Sequence, residues 1–451
     1  MSVAFTKSSY MKSLISQHIF GMAARIFFAG FILIGAAHSL RAQSNETHLK
    51  FVFGQPTAPA GWTAVQTNTI YSKETGFGFE PGADLQTPAH VSTNKLEGSV
   101  VTSDKPFFFH AAVPEGNYKV TVTLGGATAD SETTVNAELR RLMVQQLPIE
   151  SNHFVTREFI VNVRQPAISS GGEVRLTPRE KTNEWWAWDD RLTLEFLGKH
   201  PSVAVIEIEK VEVPTVFLLG DSTVCDQPRE PYNSWGQMIT RFFKPQVAIA
   251  NHSESGESTA GALAKNRFKK IWADMKPGDY LIVQFGHNDM KSTATNALET
   301  YTDNLRRAVE ETRKRGGIPV LCTSVSRRTF DTHGKVTNSF RGYTDAVRQV
   351  AKEKDVPLID LQQMGAAFYE ALGPEDSHKA FATQKENTHH NDYGSYEIAK
   401  CVLDGIRQNH LDLAKYIVDD FNGFDPSHPD AVESFGLPAS SLITQQTPAG
   451  N

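Results

Sequence analysis

Four short polar motifs in the second half of the chain carry the residue types that acyl transfer requires. In chain order they are Gly220-Asp221-Ser222, the stretch 251–258 around Gly256, Gly286-His287-Asn288-Asp289, and Glu386-Asn387-Thr388-His389-His390. A serine hydroxyl is a poor nucleophile until a histidine accepts its proton, and an acid that orients the histidine helps further. The combination therefore predicts an enzyme of acyl transfer with Ser222 as its nucleophile.

The same motifs contain donors for the negative charge of a tetrahedral intermediate. Such an intermediate needs two or three preorganised hydrogen-bond donors, and losing one typically costs about 2.7–4 kcal/mol in the transition state. The backbone N–H groups of Ser222 and Gly256 and the side-chain amide of Asn288 can supply three. We therefore predict an oxyanion hole built from these three residues.

Each of the first three motifs follows a predicted strand, and the fourth precedes the last predicted helix. The short apolar runs that predict strands are 216–219, 247–251, 279–285, 318–324 and 356–360. The stretches between and after them that predict helices are 234–243, 260–275, 297–315, 340–354 and 397–410. Alternating apolar strands and helices indicate a parallel sheet covered on both faces, with reactive groups at the carboxyl edge. Gly-Asp-Ser alone is also common in ordinary turns, but four motifs at one edge favour catalysis.

The first 42 residues have the pattern of a targeting segment. Arg25 precedes the apolar run 26–37, which is short for a membrane span, and Ala42 offers a cleavage site. We predict a cleaved signal, with Met11 or Met22 as an alternative start, and an exported protein that is periplasmic or secreted. An uncleaved anchor is the alternative; after cleavage no membrane span is expected.

Residues 47–212 have the pattern of an all-β domain. Alternating runs at 107–113, 118–124, 154–163, 173–176, 192–196 and 203–213 predict the strands of an antiparallel sandwich. Trp185, Trp186 and Trp188 are predicted to pack in the core or at a domain interface, with sugar stacking as the alternative. Residues 421–451 are rich in Pro, Gly, Ser and Gln and predict a loose C-terminal tail.

Composition limits the function further. The net charge of −6 argues against a general nucleic-acid-binding role. Cys225, Cys322 and Cys401 are too few for a disulfide framework and have no metal-binding spacing, so we predict small buried side chains.

The four motifs together resemble the four conserved blocks of the SGNH (GDSL) hydrolase superfamily. Within it, residues 214–415 resemble the rhamnogalacturonan acetylesterases, and the β domain resembles the galactose-binding-like modules that precede some bacterial members. The resemblance implies a flavodoxin-like three-layer α/β/α hydrolase domain over residues 213–420. It also implies that neither a metal nor an organic cofactor is needed.

Residue by residue, the resemblance implies Ser222 as nucleophile and His389 as general base, with Ser222, Gly256 and Asn288 as the oxyanion hole. The family usually has Asp-x-x-His, whereas this chain has Glu386 three residues before His389. We keep Glu386 as the orienting acid; the alternative is a Ser–His dyad with Glu386 on the surface. His390 is a competing base, or it lines the pocket or packs.

The resemblance also implies a substrate, namely acetylated pectic polysaccharide of the plant cell wall, with rhamnogalacturonan preferred. Arg327 and Arg328 follow the fourth predicted strand and can hold a galacturonate carboxylate; solvated loop charges are the alternative. His287 is predicted to be structural and Asp289 to tie down its own loop. Alternative functions are an esterase of acetylated xylan or small acyl esters, and an inactive carbohydrate-binding relative.

Overall fold

The computed structural model describes residues 47–88, 96–126 and 128–449. The predicted signal segment, residues 1–42, lies outside the described residues. No helix in the described part of the chain has the length and apolarity that crossing a bilayer requires.

The described chain up to residue 210 consists mainly of strands. They are β1 His48–Phe53, β2 Thr63–Val65, β3 Phe77–Phe79, β4 Val101–Thr102, β5 Phe107–Ala112, β6 Gly116–Gly125, β7 Ser131–Ala137, β8 Arg141–Ile149, β9 Phe154–Val163, β10 Arg191–Lys199, β11 Ser202–Val203 and β12 Val205–Lys210. A 3-10 helix, Trp185–Trp188, precedes β10.

Two sheets of this domain pack face to face and confirm the predicted sandwich. Their strand orders are β2-β1-β12-β6-β9 and β3-β5-β10-β7-β8. All pairings within them are antiparallel except β1 with β2. The core between the sheets contains a cluster of buried phenylalanines, among them Phe53, Phe79, Phe107 and Phe109.

The predicted strand at 173–176 is wrong. Glu173 makes one isolated bridge to Ala167, and the rest of that stretch is irregular. The sequence pattern also missed β7 and β8, whose many polar residues hide the alternation that half-buried strands usually show.

From residue 215 onward strands and helices alternate. The strands are β13 Thr215–Gly220, β14 Ala248–Asn251, β15 Tyr280–Gln284, β16 Ile318–Cys322 and β17 Leu358–Ile359. The α-helices are α1 Trp235–Met238, α2 Thr259–Ala264, α3 Arg267–Asp274, α4 Ala297–Arg313, α5 Tyr343–Lys354, α6 Leu361–Asp376 and α7 Asp392–Gln408. Shorter 3-10 helices are Ile239–Phe242, Asp289–Lys291, Ser377–Ala380, Asp412–Tyr416 and Val432–Ser434.

These strands form one parallel sheet in the order β14-β13-β15-β16-β17. Helices cover both of its faces, so β13 is buried on both sides. Val216 and Leu218 belong to the core on one face, and Phe217 and Leu219 belong to the core on the other. The predicted α/β class with a flavodoxin-like strand order is thus confirmed.

Three predicted helices differ from those observed. The predicted helix 234–243 is α-helical only over Trp235–Met238 and continues as the 3-10 helix Ile239–Phe242. The predicted helix 260–275 is broken into α2 and α3, because Asn266 between them has a left-handed backbone with φ of 64°. The last long helix begins at Asp392 rather than 397, because the side chain of Asn391 accepts the N–H of Gly394 as an N-cap.

The segment after residue 421 packs against the protein instead of forming the loose tail predicted. Ser440 is buried, and its hydroxyl donates to Glu195 Oε1 of the β domain at 2.5 Å. Glu230 pairs its backbone with Leu442 and Thr444, which fixes this part of the segment beside the loop that follows Ser222.

The β domain supports the loop that follows Ser222. Arg141 of β8 donates to Asp226 at 2.7 Å and 2.9 Å, and both side chains are buried. Trp188 is buried at the domain boundary against His252, whereas Trp185 is 43 % exposed. The preferred interpretation of these tryptophans as packing residues therefore describes Trp188, but not Trp185.

Candidate active site

Ser222 lies on the turn that follows β13, and close packing and hydrogen bonds fix the backbone of this turn. A Cβ at Gly220 would lie 2.5 Å from Gln284 O and 2.6 Å from the Val224 side chain, so the position excludes larger residues. The buried Asp221 accepts hydrogen bonds from the N–H and the hydroxyl of Thr223, at 3.0 Å and 2.9 Å. These contacts fix the backbone that presents the serine hydroxyl.

The structure brings Ser222 and His389 together. Ser222 Oγ lies 2.8 Å from His389 Nε2, which is hydrogen-bonding distance. Both residues are nearly buried, at 2 % and 1 % exposure. The ring of Tyr232 packs edge-on against the imidazole, with centroids 6.0 Å apart. This arrangement can transfer a proton from the hydroxyl to the imidazole.

Glu386 lies on the other side of the imidazole. Its Oε2 is 3.3 Å from His389 Nδ1, but the contact lacks the alignment of a hydrogen bond. Its Oε1 accepts the N–H groups of Asn387, Thr388 and His389 at 3.0 Å, 3.0 Å and 3.3 Å. Because Glu386 is only 6 % exposed, the geometry does not match the alternative with this side chain on the surface.

The surroundings of Glu386 keep its carboxyl ionised. Burial alone would raise its pKa, but the contact with His389 and the backbone N–H donors outweigh burial and lower the pKa to about 2. A negative charge therefore faces Nδ1 of His389 throughout the neutral pH range.

The three predicted oxyanion donors keep hydrogens that a ligand can use. The N–H groups of Ser222 and Gly256 donate to no acceptor among the described residues. Gly256 has φ of 74°, a conformation that glycine adopts without strain. Asn288 Nδ2 donates to Glu257 O at 3.0 Å, which leaves its second hydrogen for a ligand. These groups can together stabilise an oxyanion.

Comparison with known families is consistent with this geometry. Residues 218–395 match the model of the GDSL-like lipase/acylhydrolase family. A rhamnogalacturonan acetylesterase of Bacillus subtilis (strain 168), RhgT, is 38 % identical over 217 residues, which are 45 % of this chain and 94 % of that protein. The chain belongs to the GDSL-like lipase/acylhydrolase family. This confirms the predicted superfamily and the prediction of a carboxylic ester hydrolase.

Two further relatives and a second family model extend the likeness. The probable rhamnogalacturonan acetylesterase YesY of the same Bacillus strain is 30 % identical over 45 % of this chain and 97 % of that protein. The uncharacterized esterase YxiM, also from that strain, is 24 % identical over 86 % of this chain and 97 % of that protein. Residues 49–148 match the galactose-binding domain-like model of beta-agarase/YXIM esterase-like proteins, which confirms the predicted relationship of the β domain.

In this GDSL-like hydrolase Asp289 holds a neighbouring loop rather than only its own. Asp289 Oδ1 accepts the N–H and the hydroxyl of Thr259 at 2.9 Å and 2.6 Å. The contact joins the loop of Asn288 to the start of α2, just after Gly256. Burial raises the pKa of Asp289 to about 6. The Asp289 side chain therefore fixes the position of the Asn288 loop relative to the loop of Gly256.

His390 lies beside the Ser222–His389 pair but faces the interior. Its Nε2 is 2.6 Å from the hydroxyl of Tyr369, and its ring stacks on Phe381 at 4.8 Å. Burial and the nearby His389 lower the pKa of His390 to about 3, so it is neutral. Of the roles left open for His390, packing fits the structure.

Arg327 and Arg328 lie on the loop after β16, and neither has a carboxylate within ion-pair distance in the described residues. Arg327 Nη1 lies 3.5 Å from Met290 Sδ and from Ser339 Oγ. Arg328 bonds to the fourth motif: its backbone N–H donates to Asn387 O at 2.8 Å and its Nη2 to Gln384 O at 3.1 Å. Arg328 thus also braces the loop that carries His389.

The sequence reasoning missed two residues in contact with the pair. Gln227 Nε2 donates to Ser222 O at 2.7 Å, and Tyr232 packs on His389. Both lie within ten residues of Ser222 in a stretch without regular periodicity. The signal that could have identified them is that a polar and an aromatic residue follow Ser222 closely in the sequence.

Proposed function

We propose that this hydrolase is an exported serine esterase that removes acetyl groups from pectic polysaccharide, with rhamnogalacturonan as the substrate. The observation that carries the proposal is the 2.8 Å contact between Ser222 Oγ and His389 Nε2. Two relatives that are 38 % and 30 % identical are named as a rhamnogalacturonan acetylesterase and a probable one. The basic and apolar pattern of residues 1–42 supports export.

In the acylation step, Ser222 Oγ attacks the acetyl carbonyl carbon while His389 Nε2 takes the hydroxyl proton. The carbonyl oxygen becomes an oxyanion held by the N–H groups of Ser222 and Gly256 and by the Asn288 amide. The intermediate collapses to an acetyl-enzyme, and His389 gives its proton to the departing sugar oxygen.

In the deacylation step, His389 removes a proton from water, which attacks the acetyl-enzyme. A second oxyanion forms and is held by the same donors. When this intermediate collapses, acetate leaves and His389 returns the proton to Ser222 Oγ. In both steps the charge of Glu386 stabilises the imidazolium that forms 3.3 Å away.

The cations near the site support an acidic polysaccharide as substrate. Arg327 and Arg328 lack carboxylate partners in the described residues, and an arginine fork suits the carboxylate of a galacturonate unit. The protein carries a net charge of −6, so local cations of this kind are needed to accept an acidic chain.

The test is acetate release by purified protein from a panel of acetylated rhamnogalacturonan, acetylated xylan and p-nitrophenyl acetate. We expect the highest kcat/KM on rhamnogalacturonan, and loss of release with Ser222→Ala. Comparable release by Ser222→Ala would contradict the mechanism. Faster turnover of xylan or of the small ester would contradict only the substrate and favour the alternative esterases.

The remaining alternative is an inactive carbohydrate-binding relative, whose support is the replacement of the usual aspartate by Glu386. Binding of the polysaccharide without acetate release from any member of the panel would favour it. A well-placed hydroxyl–imidazole pair argues against it, because an inactive relative has no need to keep one.

A further inference from the structure

A cavity of about 440 Å³ is lined in part by two residues that contact the Ser222–His389 pair. Three separate parts of the chain line it. Arg179 and Asn183 come from the segment that precedes β10, Arg229 and Tyr232 come from the loop after Ser222, and residues 443–448 come from the C-terminal segment. Its volume lies in the range of about 300–1,000 Å³ that is usual for sites that hold small ligands.

Three contacts place the cavity next to the site of ester cleavage. Gln227, which lines it, donates to the carbonyl of Ser222 at 2.7 Å. Tyr232, which also lines it, packs on the ring of His389. The C-terminal segment continues to Ala449, whose Cβ lies 3.2 Å from the position of a Cβ at Gly256. An occupant of the cavity is therefore a close neighbour of the group whose ester is cleaved.

The lining has the chemistry of a sugar subsite. Asn183, Gln445 and Gln446 offer amides, and Thr444 offers a hydroxyl. Such groups both donate and accept hydrogen bonds, as the hydroxyls of a sugar require.

Arg229 is the lining cation that a ligand can use. Arg179 already contacts Glu184 and Glu254. Burial and the neighbouring Glu254 raise the pKa of Glu184. Arg229 is half-buried and has no ion pair among the described residues. A half-buried guanidinium beside sugar-binding groups suits a carboxylate.

We propose that this cavity is a subsite for a carboxylate-bearing sugar of the bound polysaccharide, with Arg229 contacting the carboxylate. The proposal rests on the proposed function for the identity of the ester, but the occupancy of the cavity can be measured by binding alone. Under this proposal, three chain segments outside the four motifs recognise the carboxylate-bearing sugar.

The test measures binding of a galacturonate oligosaccharide to the full chain carrying Ser222→Ala, by isothermal titration calorimetry. Adding Arg229→Gln is expected to weaken binding about tenfold or more, and Arg229→Lys is expected to restore part of it. Arg175→Gln is the control, since Arg175 is an exposed arginine of the segment that precedes β10 and does not line the cavity. A neutral oligosaccharide of equal length is expected to be much less sensitive to Arg229→Gln.

Equal binding of the acidic oligosaccharide with and without Arg229→Gln would overturn the subsite. Equal weakening of the acidic and neutral oligosaccharides would also overturn it, because the loss would then not depend on the carboxylate. If the wild type releases no acetate but the Arg229-dependent binding persists, the proposed function fails and the subsite stands. If acetate is released and the binding is independent of Arg229, the subsite alone fails.

Discussion

Two carboxylate–histidine pairs lie at the same edge of the parallel sheet, and only one of them faces the serine. Asp221 Oδ2 is 3.0 Å from His287 Nδ1, and Glu386 Oε2 is 3.3 Å from His389 Nδ1. All four side chains are buried. The pairs differ at the second imidazole nitrogen. His389 Nε2 contacts Ser222 Oγ, whereas His287 Nε2 is buried and has no hydrogen-bond partner in the described residues.

The difference shows that a carboxylate–histidine pair does not by itself make a base. Asp221 also accepts two bonds from Thr223, and His287 packs on Phe340, so this pair joins the loops after β13 and β15. The Glu386–His389 pair lies on the loop before α7, which approaches Ser222 from the other side. We infer that the first pair positions the serine and that the second pair activates it.

The largest effect is expected from His389→Ala. Without an acceptor for the hydroxyl proton, kcat should fall by roughly four to six orders of magnitude. The melting temperature should also fall, because the change leaves the buried carboxylate of Glu386 without the imidazole that it faces. Initial rates on p-nitrophenyl acetate and a thermal melt measure both quantities, with the exposed His333→Ala as control. A loss of less than tenfold would contradict the role of His389.

His287→Ala should affect stability first. It leaves the buried carboxylate of Asp221 without its imidazole, and removing one partner of a buried pair costs about 3–5 kcal/mol. We expect a loss of about 3 kcal/mol in the free energy of unfolding, measured with urea. Unchanged stability together with a loss of kcat as large as that of His389→Ala would reverse the roles assigned to the two pairs.

Glu386→Gln should lower kcat by about a hundredfold. An aligned carboxylate in such a triad is worth about 10⁴, but here the contact with Nδ1 is 3.3 Å long and poorly aligned. The amide keeps the side-chain size while the charge facing the imidazolium is lost. A loss near 10⁴ would mean that Glu386 aligns with His389 during turnover, and no loss would mean that a Ser–His dyad suffices.

The smallest effect concerns stability at low pH. The pKa of Glu386 is lowered to about 2 in the folded protein, below its value of about 4.3 in an unfolded chain. Its ionised form therefore stabilises the fold fully above about pH 5, and this contribution is lost as pH falls through about 2. The difference in unfolding free energy between wild type and Glu386→Gln should be constant above pH 5 and shrink below it. A difference that grows on acidification would contradict the lowered pKa.

The sequence predicted the location of the four motifs, because parallel strands bring their carboxyl ends to one edge. Ser222, Gly256 and Asn288 each follow a buried apolar strand, so their neighbourhood followed from the fold class alone. The pairing of Asp221 with His287 did not follow, because any histidine of the third and fourth motifs could have contacted any of the acids in the motifs. Such contacts depend on side-chain directions that spacing does not fix.

The sequence also failed to predict the structure of segments whose apolar residues follow no periodic pattern. Helix α6 was missed because Gly365, Gly373 and Pro374 interrupt its helical pattern. The C-terminal segment gave no signal because it docks through backbone bonds with Glu230 and through the Ser440 hydroxyl. Backbone pairing of an extended segment requires no particular residue types. The sequence therefore did not predict that residues 443–448 form a wall of the cavity.

The most direct test of the central claim is covalent labelling of the full chain with an organophosphorus probe, followed by peptide mapping. A serine activated by His389 should carry the label at Ser222, the label should be lost in His389→Ala, and a folded His287 variant should retain it. Labelling of another residue, or equal labelling of Ser222 with and without His389, would contradict the account.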